Sequence, residues 1–244
     1  PRSTPLYSSA ASDVYKRQTQ YLHVVKTDNA FNTEWTFRIN ASSPNQTGRS
    51  VIQTLDSGYV IAGNNNGISG SAGSRDYFIV KLDKDGTKEW TRDLDQNGAG
   101  NNSLYSIQQL ADGSYICSGS TDASCGTADI GLIKLNSDGT YAWKKNVSYC
   151  SGSGDSWPAR VVIADDGDFV IAGTTNNGSN GGGDVYLAKV SSDGSTVQWG
   201  KRVGGSSYKD QGFALTKTLD GGYAVAGYTK SYPCLLYTSP SPRD

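Results

Sequence analysis

The sequence contains no methionine and a single histidine, His23, among its 244 residues. Because one imidazole cannot supply the nitrogen ligands that a zinc or copper site uses, no metal site of that kind is predicted. The formal net charge is −1, which gives no general attraction to nucleic acid or to an anionic membrane surface. No apolar run approaches the roughly 18 residues of a membrane-spanning helix. Neither a nucleic-acid partner nor membrane insertion is therefore expected.

Signatures of catalysis are missing as well. The sequence has no Gly-x-Ser-x-Gly elbow, no phosphate-binding loop and no pairing of a nucleophile with a histidine. Its 23 acidic residues could include a glycosidase pair, but they occupy recurring turn positions and none is singled out. No catalytic residue is predicted, and an enzyme is the less favoured interpretation.

A repeated pattern fills most of the chain. Its clearest copy is residues 76–90, an apolar run followed by an Asp-Gly turn and a second run that ends in tryptophan. Successive repeat tryptophans lie 55, 53 and 56 residues apart, and successive repeat glycines lie 56, 54 and 54 apart, so the period is near 54. The repeat markers are Trp35, Trp90, Trp143 and Trp199, Gly63, Gly119, Gly173 and Gly227, and the turn aspartates Asp56, Asp112, Asp166 and Asp220.

The content of one period predicts the fold class. Each period has four runs of strand length, and no segment shows the 3.6-residue period of a helix. Four antiparallel strands in a unit of this size are the blade of a β-propeller. In the first complete unit we assign strand A to residues 51–55, B to 59–63, C to 77–82 and D to 89–94, from inner to outer. The prediction is an all-β propeller fragment, incomplete at both ends, with a half blade, three whole blades and a half blade.

The connections divide the predicted blades into two faces. The A–B and C–D turns are tight and lie on one face, which we call the plain face. The longer B–C and D–A loops lie on the opposite, loop-rich face. Aromatic side chains beside amides and carboxylates suit recognition of sugars or peptides, although they also suit capping of the core. The candidate binding residues on the loop-rich face are Arg75, Asn101, Asn102, Asp155, Trp157, Tyr208 and Asp210.

Two propeller motifs resemble the C–D turn. Residues 191–199 are similar to the Asp-box, and residues 82–90 are similar to the tryptophan-docking repeat of quinoprotein propellers, although neither spacing matches fully. Both resemblances imply a structural role, in which the aspartate accepts turn N–H groups and the tryptophan packs between blades. A broader resemblance, from residue 19 to 229, is to tandem repeats of secreted bacterial and archaeal propellers, carried best by Asp220-Gly-Gly-Tyr-Ala-Val-Ala-Gly-Tyr-Thr229. It implies an extracellular, cell-surface or periplasmic protein.

Both ends of the chain resemble translated sequencing adapters. Residues 8–18 read SSAASDVYKRQ and residues 234–244 read CLLYTSPSPRD, which are similar to the two opposite adapter ends. We therefore expect residues 1–18 and 234–244 to be non-native tails, and residues 19–233 to hold the propeller repeats.

Cysteine and acidic loops give two further expectations. Cys125 and Cys150 fall in loops of one blade on the same face, which predicts a disulfide between them in an exported protein; two free thiols are the alternative. The loops at residues 93–98 and 165–168 offer oxygen ligands to Ca²⁺ but lack EF-hand spacing. Solvated turns are the favoured interpretation, so no cofactor is predicted.

Three functional hypotheses follow. The leading one is a non-catalytic, secreted or cell-surface propeller domain that binds a glycan, a peptide or a surface protein through its loop-rich face. A truncated propeller enzyme, quinoprotein-like or glycosidase-like, is the second. An architectural spacer in a large surface protein is the third.

Overall fold

The computed structural model describes residues 21–39, 46–66, 75–94, 102–122, 128–147, 157–175, 183–204 and 208–231. Within these residues every regular element is a strand. The strands are β1 (His23–Thr27), β2 (Thr33–Arg38), β3 (Gln46–Gln53), β4 (Tyr59–Asn66), β5 (Arg75–Leu82), β6 (Lys88–Leu94), β7 (Ser103–Gln109), β8 (Tyr115–Asp122), β9 (Ala128–Leu135), β10 (Tyr141–Asn146), β11 (Trp157–Ile163), β12 (Phe169–Thr175), β13 (Asp184–Val190), β14 (Val197–Val203), β15 (Gln211–Lys217) and β16 (Tyr223–Tyr228).

These strands form three four-stranded antiparallel sheets, β3-β4-β5-β6, β7-β8-β9-β10 and β11-β12-β13-β14. The pairs β1-β2 and β15-β16 form two-stranded sheets, which correspond in the repeat to an outer pair and an inner pair. Each complete sheet is one blade, and the four strands follow one another in chain order from the inside outward. The predicted fold class, all-β with repeated four-stranded antiparallel blades, is confirmed.

The inner strand starts earlier than the apolar pattern predicts. Strand β3 begins at Gln46, whereas strand A was assigned to residues 51–55, and Leu55 lies in the turn that follows. The first half of β3 is held by its backbone, since Gln46 pairs with Asn65 and Gly48 with Gly63. Hydropathy cannot reveal this half, because backbone hydrogen bonding and not side-chain burial extends the strand.

The inner strands of neighbouring blades lie side by side. Ser50 Oγ accepts a hydrogen bond from the Ile107 amide at 3.3 Å, and Ser106 Oγ accepts one from the Val161 amide at 3.4 Å. Every inner strand also carries an irregularity at the same repeat position, as between Gly48 and Ser50. Contacts between neighbouring inner strands join β3 to β7, β7 to β11 and β11 to β15.

The core lies between the blades. Along β8, Tyr115 and Cys117 pack in a cluster with the preceding blade, whereas Ile116, between them, packs with the following blade. Successive side chains of a strand point to opposite faces, so a sheet covered on both faces needs apolar residues at consecutive positions. This explains the unbroken apolar runs of the repeat.

Each repeat tryptophan packs on the next blade. Trp35 makes an edge-on contact with Tyr59, with the ring centroids 5.3 Å apart, and its indole N–H donates to the Lys84 carbonyl at 3.1 Å. The ring lies directly over the next C–D turn, where a Cβ added to Gly86 would come within 2.6 Å of it. The equivalent turn glycines meet the preceding tryptophans in the same way, Gly139 against Trp90 and Gly194 against Trp143.

The plain face is built from aspartate-stabilised turns. In the A–B turns the carboxylates of Asp56, Asp112, Asp166 and Asp220 each accept the amide hydrogen of the residue two positions later. All eight A–B and C–D turns contain one residue with positive φ, and glycine holds six of these positions. Ser57 and Phe31 hold the other two, with φ of 68° and 63°.

A lysine from strand C links the two turns of a blade. Lys81, only 4% exposed, lies 2.8 Å from the Asp56 carboxylate and 3.3 Å from that of Glu89. Lys189 pairs with Asp166, the equivalent of Asp56, but its second partner is Asp168 at the end of the same A–B turn. Hydrogen bonds from Lys81 and Thr54 lower the pKa of Asp56 to about 2.

The tryptophan contact predicts a difference between two glycines. Gly194 and Gly167 both have positive φ, but only Gly194 has a ring against it, since a Cβ on Gly167 would meet nothing within 4 Å. Both alanine variants carry the backbone strain, of about 1 kcal/mol, and Gly194→Ala in addition displaces Trp143. We expect Gly194→Ala to be less stable than Gly167→Ala by about 1–3 kcal/mol. Urea unfolding measures this; equal losses would contradict the packing role.

The buried lysine predicts a second difference. Lys81→Met removes both ion pairs of a buried ammonium group, and we expect a loss of about 1–2 kcal/mol in the free energy of unfolding. Lys84→Met is the control, because Lys84 is exposed and pairs only with its neighbour Asp85, so a change below about 0.5 kcal/mol is expected. Equal effects of the two variants in chemical denaturation would show that Lys81 has no special role.

The turn aspartates predict the acid limit of stability. The folded pKa of Asp56 is about 2 against a reference value of 3.8, so its ionised form favours folding above pH 3.8. That contribution is lost as the pH falls from 3.8 towards 2. Thermal melts across this window should show a smaller pH dependence for Asp56→Asn than for the unaltered chain. An identical pH dependence would contradict the assignment.

Candidate functional site

On the loop-rich face, the same backbone hydrogen bond recurs at two junctions between blades. The Asn102 amide donates to the Arg75 carbonyl at 2.9 Å, which joins the residue before β7 to the start of β5. The Asp210 amide donates to the Gly183 carbonyl at 2.6 Å, which joins the residue before β15 to the start of β13. Three of the positions predicted as binding residues, Arg75, Asn102 and Asp210, thus lie at seams where one blade meets another.

The structure places four of the predicted binding side chains. Tyr208 is 59% exposed, Arg75 is partly buried at the start of β5, and Asn102 and Asp210 are buried. Trp157 begins β11, but its side chain lies outside the described part. Asn101, Asp155, Cys125 and Cys150 also lie outside the described residues. Of these four side chains, Tyr208 therefore offers the most surface to a ligand.

Asp210 fixes the segment around Tyr208. Its carboxylate accepts a hydrogen bond from the Lys230 amide at 3.1 Å and one from Ser231 Oγ at 2.5 Å. The same Ser231 hydroxyl lies 3.3 Å from the Tyr208 carbonyl. The aromatic ring is therefore presented from a backbone that three polar groups hold in place.

A second carboxylate, from Asp184, lies beside Asp210. Gly204 lies between the two, because a Cβ at this position would overlap Asp184 Oδ1 and would come within 2.7 Å of Asp210 Oδ2. Burial raises the pKa of Asp184, the negative charge of Asp210 raises it further, and Arg202 opposes both. The seam between β13–β14 and β15–β16 thus holds an acidic pair next to an exposed tyrosine.

Sequence reasoning missed this pair because it assigned Asp184 to the repeat framework. The corresponding positions at the preceding described seam are Asp76 and Asn102, a carboxylate and an amide, and both are buried. The pair arises because Asp210 stands where that seam has an amide. Comparison of the residues just before each inner strand would have revealed the substitution.

An apolar cavity adjoins the acidic pair. It has a volume of about 270 Å³ and opens between β13–β14 and β15–β16. Its lining includes Val185, Leu187, Val203, Val225 and Asp210. Carboxylates can accept hydrogen bonds from hydroxyl, amide or ammonium groups. An exposed aromatic ring can stack on a flat apolar surface.

In the acidic loop at residues 165–168, the carboxylates already pair with side chains or backbone groups of the protein. Asp165 pairs with Lys217, Asp166 pairs with Lys189, and Asp168 accepts hydrogen bonds from Gln198 and Ser192. Residues 95–98 of the other candidate Ca²⁺ loop lie outside the described residues. In the described ranges no three His, Cys, Asp or Glu side chains are grouped to hold a metal ion.

The described residues include one free thiol and no candidate membrane-spanning helix. Cys117 is a free thiol, fully buried in β8, and burial raises its pKa. None of the described elements is a helix long and apolar enough to span a membrane.

Among known proteins, the chain has similarity to solved structures. No protein-family model matches the chain, and no curated protein matches it. A crystal structure of a protein of unknown function from Bacteroides caccae is similar, with a TM-score of 0.47 and 10% sequence identity. The similarity covers 85% of this chain and 65% of that one, so the chain spans about two-thirds of that protein's length.

The raised pKa of Asp184 and the lowered pKa of Asp193 predict that replacing these two aspartates changes stability in opposite directions. The folded pKa of Asp184 is raised, so its ionised form opposes folding at neutral pH, and Asp184→Asn should raise the melting temperature by about 1–3 °C. The gain should shrink as the pH falls and Asp184 becomes protonated. Asp193→Asn is the control, because its pKa is lowered to about 2 by turn hydrogen bonds and its loss should destabilise. Destabilisation by Asp184→Asn at pH 7 would contradict the electrostatic account.

Proposed function

We propose that this chain is a non-catalytic propeller repeat domain of a secreted or cell-surface protein. It binds a glycan, a peptide or a surface protein through its loop-rich face. The observation that carries the proposal is the exposed Tyr208, two residues before Asp210, whose carboxylate lies with that of Asp184 around Gly204. The export of the protein is supported only by the resemblance of its repeats to those of secreted propellers.

The proposed ligand chemistry follows from these three side chains. The tyrosine ring stacks on the apolar face of a sugar or on a flat side chain, a contact that contributes about 0.5–1.5 kcal/mol between aromatic groups. The carboxylate of Asp184, which is only partly buried, accepts hydrogen bonds from sugar hydroxyls or from amide and ammonium groups of a peptide. Because Asp210 is tied to Lys230 and Ser231, it orients the site more than it contacts the ligand.

Binding is tested with the whole chain on a glycan array and on a random peptide library. Tyr208→Ala should weaken each hit about tenfold, which corresponds to about 1.4 kcal/mol. Leu219→Ser is the matched control, since Leu219 is an exposed apolar residue on the plain face and should not affect binding. No hit, or hits equally weakened by both variants, would refute the proposal and favour the spacer hypothesis.

Glycoside hydrolysis is a second candidate, favoured by one observation. Asp184 and Asp210 are adjacent carboxylates, and the raised pKa of Asp184 is the property a general acid needs. A hydrolase would release reducing sugar from the glycans that bind, and Asp184→Asn would stop release while binding persists. Binding without release for every bound glycan rejects this candidate.

A further inference from the structure

Each inner strand carries a β-bulge at the same repeat position. The pairing register with the second strand of the sheet is interrupted once in β3, β7, β11 and β15, and the residues left out of the pairing are Arg49, Tyr105, Ala159 and Phe213. They lie 56, 54 and 54 residues apart, which is the period of the repeat. A bulge gives a strand one extra residue and re-aims its side chain, and bulges are frequent next to active sites.

The repeat glycine of the second strand makes room for the bulge. A Cβ on Gly63 would overlap the Thr47 carbonyl oxygen, and one on Gly227 would overlap the Gln211 carbonyl oxygen. A Cβ on Gly119 would come within 2.8 Å of a carbonyl oxygen of β7 in the same way. The repeat therefore specifies the backbone of the bulge, whereas the residue that the bulge carries changes from blade to blade.

Two arginines from different blades meet at the bulge residue of the blade between them. The guanidinium carbon of Arg49 lies 4.7 Å from the centre of the Tyr105 ring, and the Arg49 Nε–H donates to Asn64 Oδ1 at 3.0 Å. From the following blade, Arg160 Nη1 donates to the Tyr105 carbonyl at 3.4 Å. Arg49, Tyr105 and Arg160 belong to the three complete blades, and we call them the arginine cluster.

No carboxylate among the described residues neutralises the arginine cluster. Every ion pair in the described part of the chain has a lysine as its cation, and neither Arg49 nor Arg160 has a described carboxylate oxygen within 4.0 Å. In contrast, Lys81 and Lys189 are each neutralised by turn aspartates. Two like charges held at one residue repel each other, so an anion that bridges them is bound favourably.

The guanidinium groups define the chemistry of the anion. Each has five N–H donors in a planar fork, which fits the oxygens of a carboxylate, sulfate or phosphate group. The described hydrogen bonds use one nitrogen of each arginine, so most donors of both forks remain for a ligand. The Tyr105 ring and the Asn64 amide hold the Arg49 fork in place before a ligand arrives, which lowers the entropy cost of binding.

We propose that the arginine cluster binds the carboxylate or sulfate groups of an acidic saccharide. A saccharide is favoured over an acidic peptide because Tyr105 adds a half-buried ring and a hydroxyl, which suit the ring and the hydroxyl groups that a sugar carries beside its acid group. The arginine cluster shares no residue with the site at Tyr208, so this inference goes beyond the proposed function and does not rest on it.

Isothermal titration calorimetry of the whole chain tests the proposal. The probes are an oligogalacturonate for carboxylate groups, dextran sulfate for sulfate groups, unmodified dextran as the neutral control, and polyglutamate for an acidic peptide. At least one acidic saccharide should bind, and its affinity should fall as the salt concentration rises, whereas unmodified dextran should not bind. The tighter of the two acidic saccharides identifies the preferred anion.

Variants of the two arginines locate the binding. Arg160→Gln should weaken it about tenfold, and Arg49→Lys, which keeps the charge but loses the planar fork, should weaken it about threefold. Arg92→Gln is the matched control, since Arg92 also lies over an aromatic ring, 5.3 Å from the centre of the Trp90 ring, but in the outer strand β6. It changes the net charge by the same amount and should leave binding unchanged.

Binding of neither acidic saccharide at low salt overturns the proposal, as does an equal effect of Arg92→Gln and Arg160→Gln. Tighter binding of polyglutamate than of both saccharides also overturns it, because the partner would then be an acidic peptide. Arg160 is exposed and its described hydrogen bond is to one backbone carbonyl, so Arg160→Gln should keep the melting temperature of the unaltered chain. Tyr208→Ala should not affect this binding; a loss in that variant would assign the saccharide to the site at Tyr208.

Discussion

The contact between the tryptophan of one blade and the glycine turn of the next is the constraint on which the rest of the fold depends. It requires positive φ and no side chain at the turn, an aromatic ring at the start of the following strand, and a fixed spacing between blades. Because these requirements recur in each repeat, they keep the repeat pattern legible in a chain with no family match.

Charge and packing reinforce each other within a blade. The strand C lysine is buried between two turns of the plain face, and the aspartates that meet it also hold those turns through backbone hydrogen bonds. The carboxylates of the plain face are therefore structural. The acidic pair on the loop-rich face differs, because burial and like charge raise the pKa of Asp184 and leave it without such a structural use.

The blades could be predicted from the sequence because their signals are local. Tryptophan spacing, Asp-Gly turns and consecutive apolar residues each follow from one hairpin or one two-sided sheet. The acidic pair was missed, because Asp184 and Asp210 are neighbours only across a seam between blades and no local pattern joins them. The start of β3 at Gln46 and the turn at Phe31 were hidden for a related reason, since backbone hydrogen bonds define both, and neither segment has the apolar run or the Asp-Gly pair that marks the other copies.

The orientation of the tryptophan contact gives the chain a direction. Each ring rests on the blade that follows it in sequence, never on the one before, so a blade is finished only after its successor has been synthesised. During translation the newest blade on the ribosome would always hold one uncovered indole. Folding of the array then proceeds with a lag of one repeat.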